Sequence, residues 1–185
     1  MANVGRLRPW KGQADFLDAA ARVRSPAFFA VVGGRVFSDG EAPRYGDELV
    51  ERSDALGIAR RVVFTGQRDD LSDLWPHFAL LVHTARAEPF GRVVAEAQCA
   101  GVPVVAYADG GVPEIVRHGE TGLLVPAGDW EAAARAVDDL LQDPARREAM
   151  GDAARRSAER FSPAHHASAL LEVYRRVASA GGHPG

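Results

Sequence analysis

The regular alternation of short apolar runs with helical patterns constrains the fold of this chain most. Val, Phe and Leu dominate the runs without strict apolar–polar alternation, which is typical of parallel strands covered on both faces. The predicted strands are Ala2–Leu7, Ala27–Val32, Arg61–Thr65, Ala79–Thr84, Val102–Tyr107 and Leu123–Val125. The helices predicted between them are Gln13–Arg24, Tyr45–Leu56, Leu71–Phe78, Arg92–Ala100 and Val112–Val116. This order predicts an α/β fold built on one doubly wound parallel sheet of about six strands.

After the last predicted strand the pattern becomes wholly helical. Asp129–Gln142 begins with an N-cap Asp, and Pro144–Arg160 and Pro163–Ala178 each carry Pro in the first turn. We therefore expect a single Rossmann-like domain over residues 1–180, with helices on both faces of the sheet and extra C-terminal helices. The tail, residues 181–185, is predicted to be disordered. Ligands of such sheets bind at the carboxyl ends of the strands.

The composition excludes several classes of function. The chain has 185 residues, of which 46% are hydrophobic and 25% charged, as expected for a soluble globular domain. Its net charge of -3 gives no reason to expect nucleic-acid binding. Neither a signal peptide nor a transmembrane segment is evident, so we expect a cytoplasmic protein. The single cysteine, Cys99, allows no disulfide within the chain and is predicted to lie in the core.

Two carboxylates stand eight positions apart in the segment Glu88-Pro-Phe-Gly-Arg-Val-Val-Ala-Glu96. Glu96 lies in the predicted helix Arg92–Ala100, which is apolar on nearly every face and is therefore expected to be buried. A carboxylate there needs a polar partner. Glu88 lies on the loop that follows the predicted strand Ala79–Thr84, at the carboxyl end of the sheet.

The start of this helix resembles a phosphate cradle. The amides of Phe90, Gly91 and Arg92 open the helix, and a helix N-terminus offers free N–H groups and a partial positive charge. Carboxylates accept hydrogen bonds from hydroxyls, so two of them flanking an anion cradle suggest a sugar on each side of a phosphate, as in a nucleotide-sugar. The alternative is that Glu88 is a surface charge and Glu96 is capped by a neighbouring helix; the pair in this context favours the ligand.

Other nucleotide and metal motifs are missing from the sequence. No Gly-x-Gly-x-x-Gly follows a strand, which argues against a dinucleotide oxidoreductase. There is no P-loop either. None of the six histidines has zinc spacing with cysteine, so we expect no metal site. His83 ends a predicted strand near the cleft, and we favour a structural role for it over a site role.

An ordered set of motifs runs along the chain: Val4-Gly-Arg-Leu followed by Lys11-Gly12, Val31-Val-Gly-Gly34, Val62-Val-Phe-Thr-Gly66, the segment with both glutamates, Ala100-Gly-Val-Pro-Val-Val105, Gly110-Gly-Val-Pro-Glu-Ile-Val116 and Gly119-Glu-Thr-Gly-Leu-Leu-Val-Pro126. With this set, the chain from Val4 to about Tyr174 resembles the C-terminal, donor-binding half of a family-4 (group 1) glycosyltransferase with the GT-B fold. The resemblance implies a retaining hexosyl transfer from a nucleotide-diphosphate-sugar, with no cofactor and no obligate metal.

The resemblance also implies residue roles. Glu88 matches the residue that contacts hydroxyls of the donor sugar, and Glu96 the one that binds the ribose. Arg6 and Lys11 match the basic pair that stabilises the charge growing on the leaving diphosphate. With Glu88, these two form the expected catalytic set.

Further donor contacts are expected from the loops. The resemblance places Phe90 and Gly91 against the sugar and diphosphate, and we include their neighbours Pro89 and Arg92 among the candidate donor-binding residues. Gly33 and Gly34 predict either a turn that approaches the phosphate or base, or merely a tight turn. Gln67 and Arg68 stand where the family contacts the base through its backbone.

The chain departs from the family pattern in two respects. Ala85 stands where the family often has Ser, so any hydroxyl contact from that position is lost. The acceptor-binding N-terminal domain of a GT-B enzyme is absent, so we expect this chain to bind a donor and to transfer nothing alone. The intact enzyme could be membrane-peripheral. The last helix, Pro163–Ala178, lacks the surface it would face, and its apolar residues could support self-association. They are Leu170, Leu171, Val173 and Tyr174.

Two alternatives remain open at this point. The chain could be a stand-alone binding module, or half of a split enzyme whose other half is a separate protein. A nucleotide-sugar epimerase with the same architecture is the other possibility, although the basic pair and the two glutamates do not support it.

Overall fold

A computed structural model describes residues 1–34 and 41–180 of the chain, and the predicted tail, residues 181–185, lies outside these. The strands are β1 (Ala2–Val4), β2 (Phe29–Val32), β3 (Val62–Gly66), β4 (Leu81–His83), β5 (Val104–Tyr107) and β6 (Gly122–Val125). The helices are α1 (Gln13–Arg22), α2 (Glu41–Ala55), α3 (Leu71–Leu74), α4 (Arg92–Cys99), α5 (Val112–Ile115), α6 (Trp130–Gln142), α7 (Pro144–Ala158) and α8 (Pro163–Ala180).

All six strands pair in parallel in one sheet of order β3-β2-β1-β4-β5-β6. The chain builds one half outward from β1 to β3, returns to the centre at β4, and builds the other half to β6. This order confirms the predicted doubly wound, Rossmann-like α/β sheet. Because β1 and β4 are neighbours, the loops that leave their carboxyl ends diverge on either side of the central crevice.

Side chains from both faces of the sheet are buried, as the near-continuous apolar strands predict. In β5, Val105 and Tyr107 belong to one core cluster with α1 and α6, whereas Val104 and Ala106 belong to the other with α4 and α5. Every residue of β5 is buried. Helices therefore cover both faces, and the carboxyl edge of the sheet is left free to present loops.

Several predicted elements end earlier than the apolar pattern suggests. The first strand ends at Val4 rather than Leu7, because the chain turns into a short 3-10 helix at Pro9–Lys11. The predicted helix Leu71–Phe78 is α-helical only to Leu74 and continues as a 3-10 turn that contains Pro76. Proline lacks the amide that an α-helix needs at that point.

The C-terminal helices differ in how they pack. Helix α6 packs on α1 and α7 packs on α4, so both belong to the domain. Helix α8 follows Ser162, and every residue from Pro163 to Ser179 is exposed. None of the helices in the described part of the chain is both long enough and apolar enough to cross a membrane.

Candidate functional site

The candidate site lies where the strand order reverses, at the carboxyl ends of β1 and β4. Two loops leave this point: Gly5–Gly12 leads from β1 to α1, and Thr84–Gly91 leads from β4 to α4. In doubly wound sheets the crevice at this reversal is the usual place for a ligand. The sequence assigns its basic pair to the first loop and Glu88 to the second.

A hydrogen-bonded network fastens the two loops to each other. The Asn3 amide donates to Thr84 Oγ1 at 3.3 Å, and Thr84 Oγ1 donates to the Gly12 carbonyl at 2.7 Å. The backbone amide of Arg86 donates to the carbonyl of Trp10 at 2.8 Å. Asn3 and Thr84 are buried, so the side-chain bonds of these two residues are made away from water. The network sets the relative position of the two loops before any ligand arrives.

Lys11 and Glu88 form an ion pair across this junction, between Lys11 Nζ and Glu88 Oε2. Their side chains are only 17% and 10% exposed. Lys11 is the only lysine among the 22 basic residues of the chain, and its Nζ also lies 4.2 Å from the centre of the Trp10 ring. The sequence assigns these two side chains to different parts of a ligand. In the structure, each is the other's partner.

His83 is buried next to this pair and faces the same carboxylate oxygen. Its Nε2 is 3.6 Å from Glu88 Oε2, and the imidazole is 2% exposed. The pKa of Glu88 is lowered to about 2, because His83 and, to a lesser extent, Lys11 stabilise the carboxylate more than burial opposes it. Glu88 Oε1 accepts no hydrogen bond from the residues described here, which leaves it available to a ligand hydroxyl.

The loop after β5 holds the backbone around Glu88. Ala87 has φ 51°, the only positive φ of a non-glycine residue in the described ranges. Its amide donates to Asp109 Oδ2 at 2.7 Å, and the Gly111 amide donates to the Glu88 carbonyl at 2.8 Å. A Cβ at Gly110 would lie 2.1 Å from the Glu88 carbonyl oxygen. Strained backbone of this kind persists where neighbours fix it, which is typical of functional loops.

The N-terminus of α4 opens directly after Pro89 and Phe90. Gly91 is the N-cap with φ 96°, a conformation that favours glycine, and no side chain caps the helix. The amides of Arg92 and Val93, in the first turn, have no preceding helical carbonyl to bond. The helix end therefore has the form of the predicted phosphate cradle, and phosphate binding there stays a prediction.

Two expectations for α4 are wrong. The helix is buried on one face only, which carries Val94, Ala95, Ala97 and Gln98. Glu96 is on the opposite face, 43% exposed, and pairs with Arg92 at 3.6 Å. Cys99 is also exposed rather than in the core. Residues spaced by three and four share a helix face, and this face turns away from the sheet, so Glu96 needs no buried partner.

A cavity of about 880 Å³ lies over this exposed face of α4. It is lined by Asp69, Leu71, Ser72, Trp75, Phe90, Arg92, Ala95, Glu96, Cys99, Ala100, Arg160, Phe161 and His166. Phe90 and Phe161 meet edge to face with ring centres 6.0 Å apart. The cavity is of the size that holds small ligands, roughly 300–1,000 Å³. Three predicted donor-binding residues, Phe90, Arg92 and Glu96, thus share one cavity.

Gly33 and Gly34 lie where loops meet closely. A Cβ at Gly33 would stand 1.8 Å from the Gly5 carbonyl oxygen, and one at Gly34 would stand 2.7 Å from Gln67 Cβ. The absence of side chains therefore lets this turn pack against the loops that follow β1 and β3. This supports the tight-turn interpretation and also places both glycines beside the candidate site.

The remaining predicted residues differ in how they are held. The side chain of Arg6 is exposed and makes no ion pair with a described residue. Its backbone carbonyl accepts a hydrogen bond from Nε2 of the buried Gln13 at 3.0 Å. Its backbone is fixed while its charge is free to meet a ligand. Arg68, in contrast, donates to both carboxylate oxygens of Asp70, and both side chains are exposed. Arg68 is therefore engaged on the surface next to Gln67.

Sequence reasoning missed the residues that support the site. Asn3 is a polar residue within an apolar strand, Gln13 is a fully buried amide at the start of α1, and Asp109 precedes a pair of glycines. A lone polar residue within an apolar parallel strand is the signal that could have identified Asn3. Within residues 1–34 and 41–180, no group of three or more His, Cys, Asp or Glu side chains could hold a metal ion.

Comparison with known proteins gives the family. The family model described as "Glycosyl transferases group 1" matches residues 1–157. The chain belongs to this family. Its expected identity as a group 1 member and its expected fold are thereby confirmed.

Individual relatives agree with this assignment. The chain is 42% identical to the D-inositol 3-phosphate glycosyltransferase of Rhodococcus opacus (strain B4) over 179 residues, or 93% of this chain and 40% of the relative. Among solved structures, Anabaena Alr3699/HepE in complex with UDP superposes with a TM-score of 0.89 at 32% identity, over 95% of this chain and 48% of that one. The same protein in complex with UDP-glucose gives a TM-score of 0.87 at 32% identity, with the same coverage. The chain therefore spans less than half the length of these relatives.

Proposed function

We propose that this chain binds the nucleotide-diphosphate-sugar donor of a retaining, metal-independent hexosyl transfer. The observation that carries the proposal is the Lys11–Glu88 pair at the reversal of the strand order, with the uncapped N-terminus of α4 beside it. A cation, free amides and a carboxylate with one free oxygen suit the phosphates and the hydroxyls of such a donor.

Lys11 and Arg6 would stabilise the diphosphate as it leaves. Negative charge grows on this group when the glycosidic bond breaks, and a fixed cation lowers the energy of that state. Arg6 is exposed and without an ionic partner among the described residues, so it can turn to a phosphate. Lys11 would exchange part of its contact with Glu88 for a phosphate oxygen. Both residues sit on a loop whose backbone is already fixed.

The two glutamates would bind the two sugars of the donor. Glu88 Oε1 would accept a hydrogen bond from a hydroxyl of the transferred hexose. Glu96, on the wall of the cavity, would accept from the ribose hydroxyls. The apolar and aromatic wall formed by Leu71, Phe90 and Phe161 offers a surface for a flat base. The complexes of the Anabaena relative with UDP and UDP-glucose make these the first ligands to test.

The acceptor half of the enzyme would lie outside this sequence. The chain spans 40% of the length of the Rhodococcus relative, the D-inositol 3-phosphate glycosyltransferase. We propose that an acceptor-binding partner domain completes the cleft, and that this chain alone binds a donor without transferring its sugar. The family model is that of glycosyltransferases, which favours transfer over the epimerase alternative.

Metal independence and location belong to the same proposal. We expect nucleotide binding to survive EDTA, because Arg6, Lys11 and the α4 amides would supply the positive charge. Loss of binding in EDTA, restored by Mg²⁺, would contradict this. We expect the chain to act in the cytoplasm, free or at the membrane surface, and fractionation of the source cells would test this.

Self-association through α8 is a further part of the proposal. The apolar side chains of α8 named above are 42% to 61% exposed, and helices in proteins gain most of their stability by packing an apolar face against a partner. Pairing of two copies through this face would cover it. Light scattering at rising concentration should show a dimer; a strict monomer at all concentrations would contradict this.

Calorimetric titration tests the donor-site proposal. UDP, GDP and ADP are titrated into the 185-residue chain, and at least one is expected to bind weakly. Glu96→Ala should reduce that binding, whereas the control Glu172→Ala, which removes an exposed glutamate paired with Arg176 on α8, should not. No binding of any nucleotide to the chain would overturn the proposal.

A further inference from the structure

His83 is a deeply buried ionisable side chain next to the candidate site. It is 2% exposed, and its Nε2 has no hydrogen-bond partner within the described part of the chain. A buried polar atom without a partner is costly, so such atoms are rare and often have a functional explanation. This nitrogen is 3.6 Å from Glu88 Oε2, a few tenths of an ångström beyond hydrogen-bond range.

Lys11 and His83 converge on the same oxygen of Glu88. Lys11 Nζ contacts Oε2, and His83 Nε2 faces the same oxygen. The other oxygen, Oε1, accepts no hydrogen bond from the described residues. The carboxylate is therefore held by one oxygen and presents the other. Such an arrangement fixes the rotation of the carboxylate about its last bond, which sets the direction in which Oε1 accepts.

The two anchors differ in what a donor would do to them. Lys11 is 17% exposed and can turn to a phosphate, whereas His83 is enclosed by its surroundings. The strand next to β4 places Ala106 beside His83, so this neighbour offers no competing charge. Glu88 faces the imidazole directly, and Lys11 lies beyond it on the same carboxylate oxygen.

We propose that His83 is a positioning residue for Glu88, which holds Oε2 by its Nε2–H when Lys11 turns to the diphosphate. Oε1 then stays directed at a hydroxyl of the donor sugar, and the carboxylate stays ionised in its buried position. This inference rests on the proposed function, because it assigns His83 to the sugar contact of Glu88. The inference goes beyond the proposed function, because the family resemblance gives His83 no role.

The test compares two variants that place an amide donor at different depths. In His83→Gln the side-chain amide can reach the position of Nε2, whereas in His83→Asn it can reach only the position of Nδ1. The affinities for UDP and for UDP-glucose are measured calorimetrically for the wild-type chain and both variants. The exposed His77 gives the control His77→Asn.

The expected result is a selective loss. His83→Asn should weaken UDP-glucose binding about tenfold, the effect of losing one charge-assisted hydrogen bond, and change UDP binding by less than about twofold. His83→Gln should retain most of the wild-type affinity for UDP-glucose, and His77→Asn should change neither affinity. An equal loss for UDP and UDP-glucose, or no loss for either, would overturn the inference, because a structural role would not separate the two ligands.

Two further measurements keep the outcome decisive. Glu88→Gln should produce the same selective loss; if it does not, the proposed contact of Glu88 with the sugar fails, independently of His83. The pKa of the Glu88 carboxyl, followed by ¹³C NMR without ligand, should rise in His83→Asn and return in His83→Gln. An unchanged Glu88 titration in both variants would overturn the inference even if the chain bound no nucleotide.

Discussion

Two basic–acidic pairs flank the start of α4, and they differ mainly in burial. Lys11 and Glu88 are 17% and 10% exposed and lie at the junction of two fastened loops, whereas Arg92 and Glu96 are 86% and 43% exposed on a helix surface. The first pair is held by structure around it. The second is a local pair of residues one turn apart.

The comparison teaches that the same charges have different consequences at the two positions. An exposed pair one turn apart on a helix contributes about 0.3–0.5 kcal/mol, because water screens it. Removing one partner of a buried pair costs about 3–5 kcal/mol, because the other charge stays buried without compensation. The buried pair should therefore control both stability and ligand binding, and the exposed pair should act on the ligand alone.

Removal of Lys11 should have the largest effect. Lys11→Met leaves the Glu88 carboxylate with only His83 beside it, so we expect the free energy of unfolding to fall by about 3 kcal/mol. Nucleoside diphosphate binding should be lost as well. Urea denaturation and calorimetry measure the two effects.

The matched control is Arg176→Met, which breaks the exposed Arg176–Glu172 pair on α8. It should change stability by less than about 0.5 kcal/mol. The double variant Lys11→Met/Glu88→Gln should recover much of the stability lost in Lys11→Met. Equal stability of Lys11→Met and wild type would contradict the importance given to the buried pair.

Acid should weaken the fold through Glu88. Its pKa in the folded chain is lowered to about 2 from an ordinary value of 4.5, so the unfolded chain takes up a proton at a higher pH than the folded chain does. The stability contributed by Glu88 is therefore complete above about pH 5 and is lost as the pH falls through 4.5 toward 2.

Glu88→Gln cannot titrate and should lack this loss. The difference in unfolding free energy between wild type and Glu88→Gln should be constant at neutral pH. On acidification through that interval, the wild type should lose stability relative to Glu88→Gln. Urea denaturation at a series of pH values measures it. A difference that does not change with pH would show that Glu88 titrates normally.

Glu96 should affect the ligand and not the fold. Glu96→Gln should leave the free energy of unfolding within about 0.5 kcal/mol, because the side chain is half exposed. It should weaken nucleoside diphosphate binding about tenfold, through loss of a charged acceptor for the ribose hydroxyls. The exposed carboxylate of Glu172 gives the control Glu172→Gln. If Glu96→Gln lost as much stability as Lys11→Met, the distinction between the buried pair and the exposed pair would be wrong.

Arg92 should give the smallest effect. Arg92→Ala removes an 86% exposed guanidinium, so we expect less than about 0.5 kcal/mol in stability and a reduction of UDP affinity of about twofold at low salt. The reduction should vanish at high salt, where exposed charges are screened. A tenfold loss at both salt concentrations would place Arg92 in direct contact with the phosphates.

The sequence was sufficient for the fold because its strongest signals are local. Apolar runs mark every strand, prolines open α5, α7 and α8, and the strand–helix alternation leaves few topologies other than a doubly wound sheet. The ends of elements were less predictable. Leu7 is apolar and buried although it lies beyond the end of β1 at Val4. Only the loop geometry shows that the backbone at Leu7 no longer belongs to the sheet.

The candidate site was predicted as a set of residues but not as an arrangement. Glu88 and Phe90 were identified from the segment that carries both glutamates, and Lys11 from the family resemblance, yet nothing in the sequence shows that Lys11 meets Glu88. That contact depends on Asn3 and Thr84, whose hydrogen bonds join segments distant in sequence. The expected burial of Glu96 failed because apolar composition does not show which face of a short helix meets the sheet.

The central claim is that Lys11 serves the diphosphate of a nucleotide donor, and the single lysine of the chain allows a direct measurement. Incorporation of ¹³C-labelled lysine gives one side-chain Cε signal, which reports on Lys11 alone. The account predicts that this signal shifts on titration with UDP, saturates with the calorimetric affinity, and stays unmoved with uridine. A Lys11 signal that does not respond while UDP binds, or that responds equally to uridine, would contradict it.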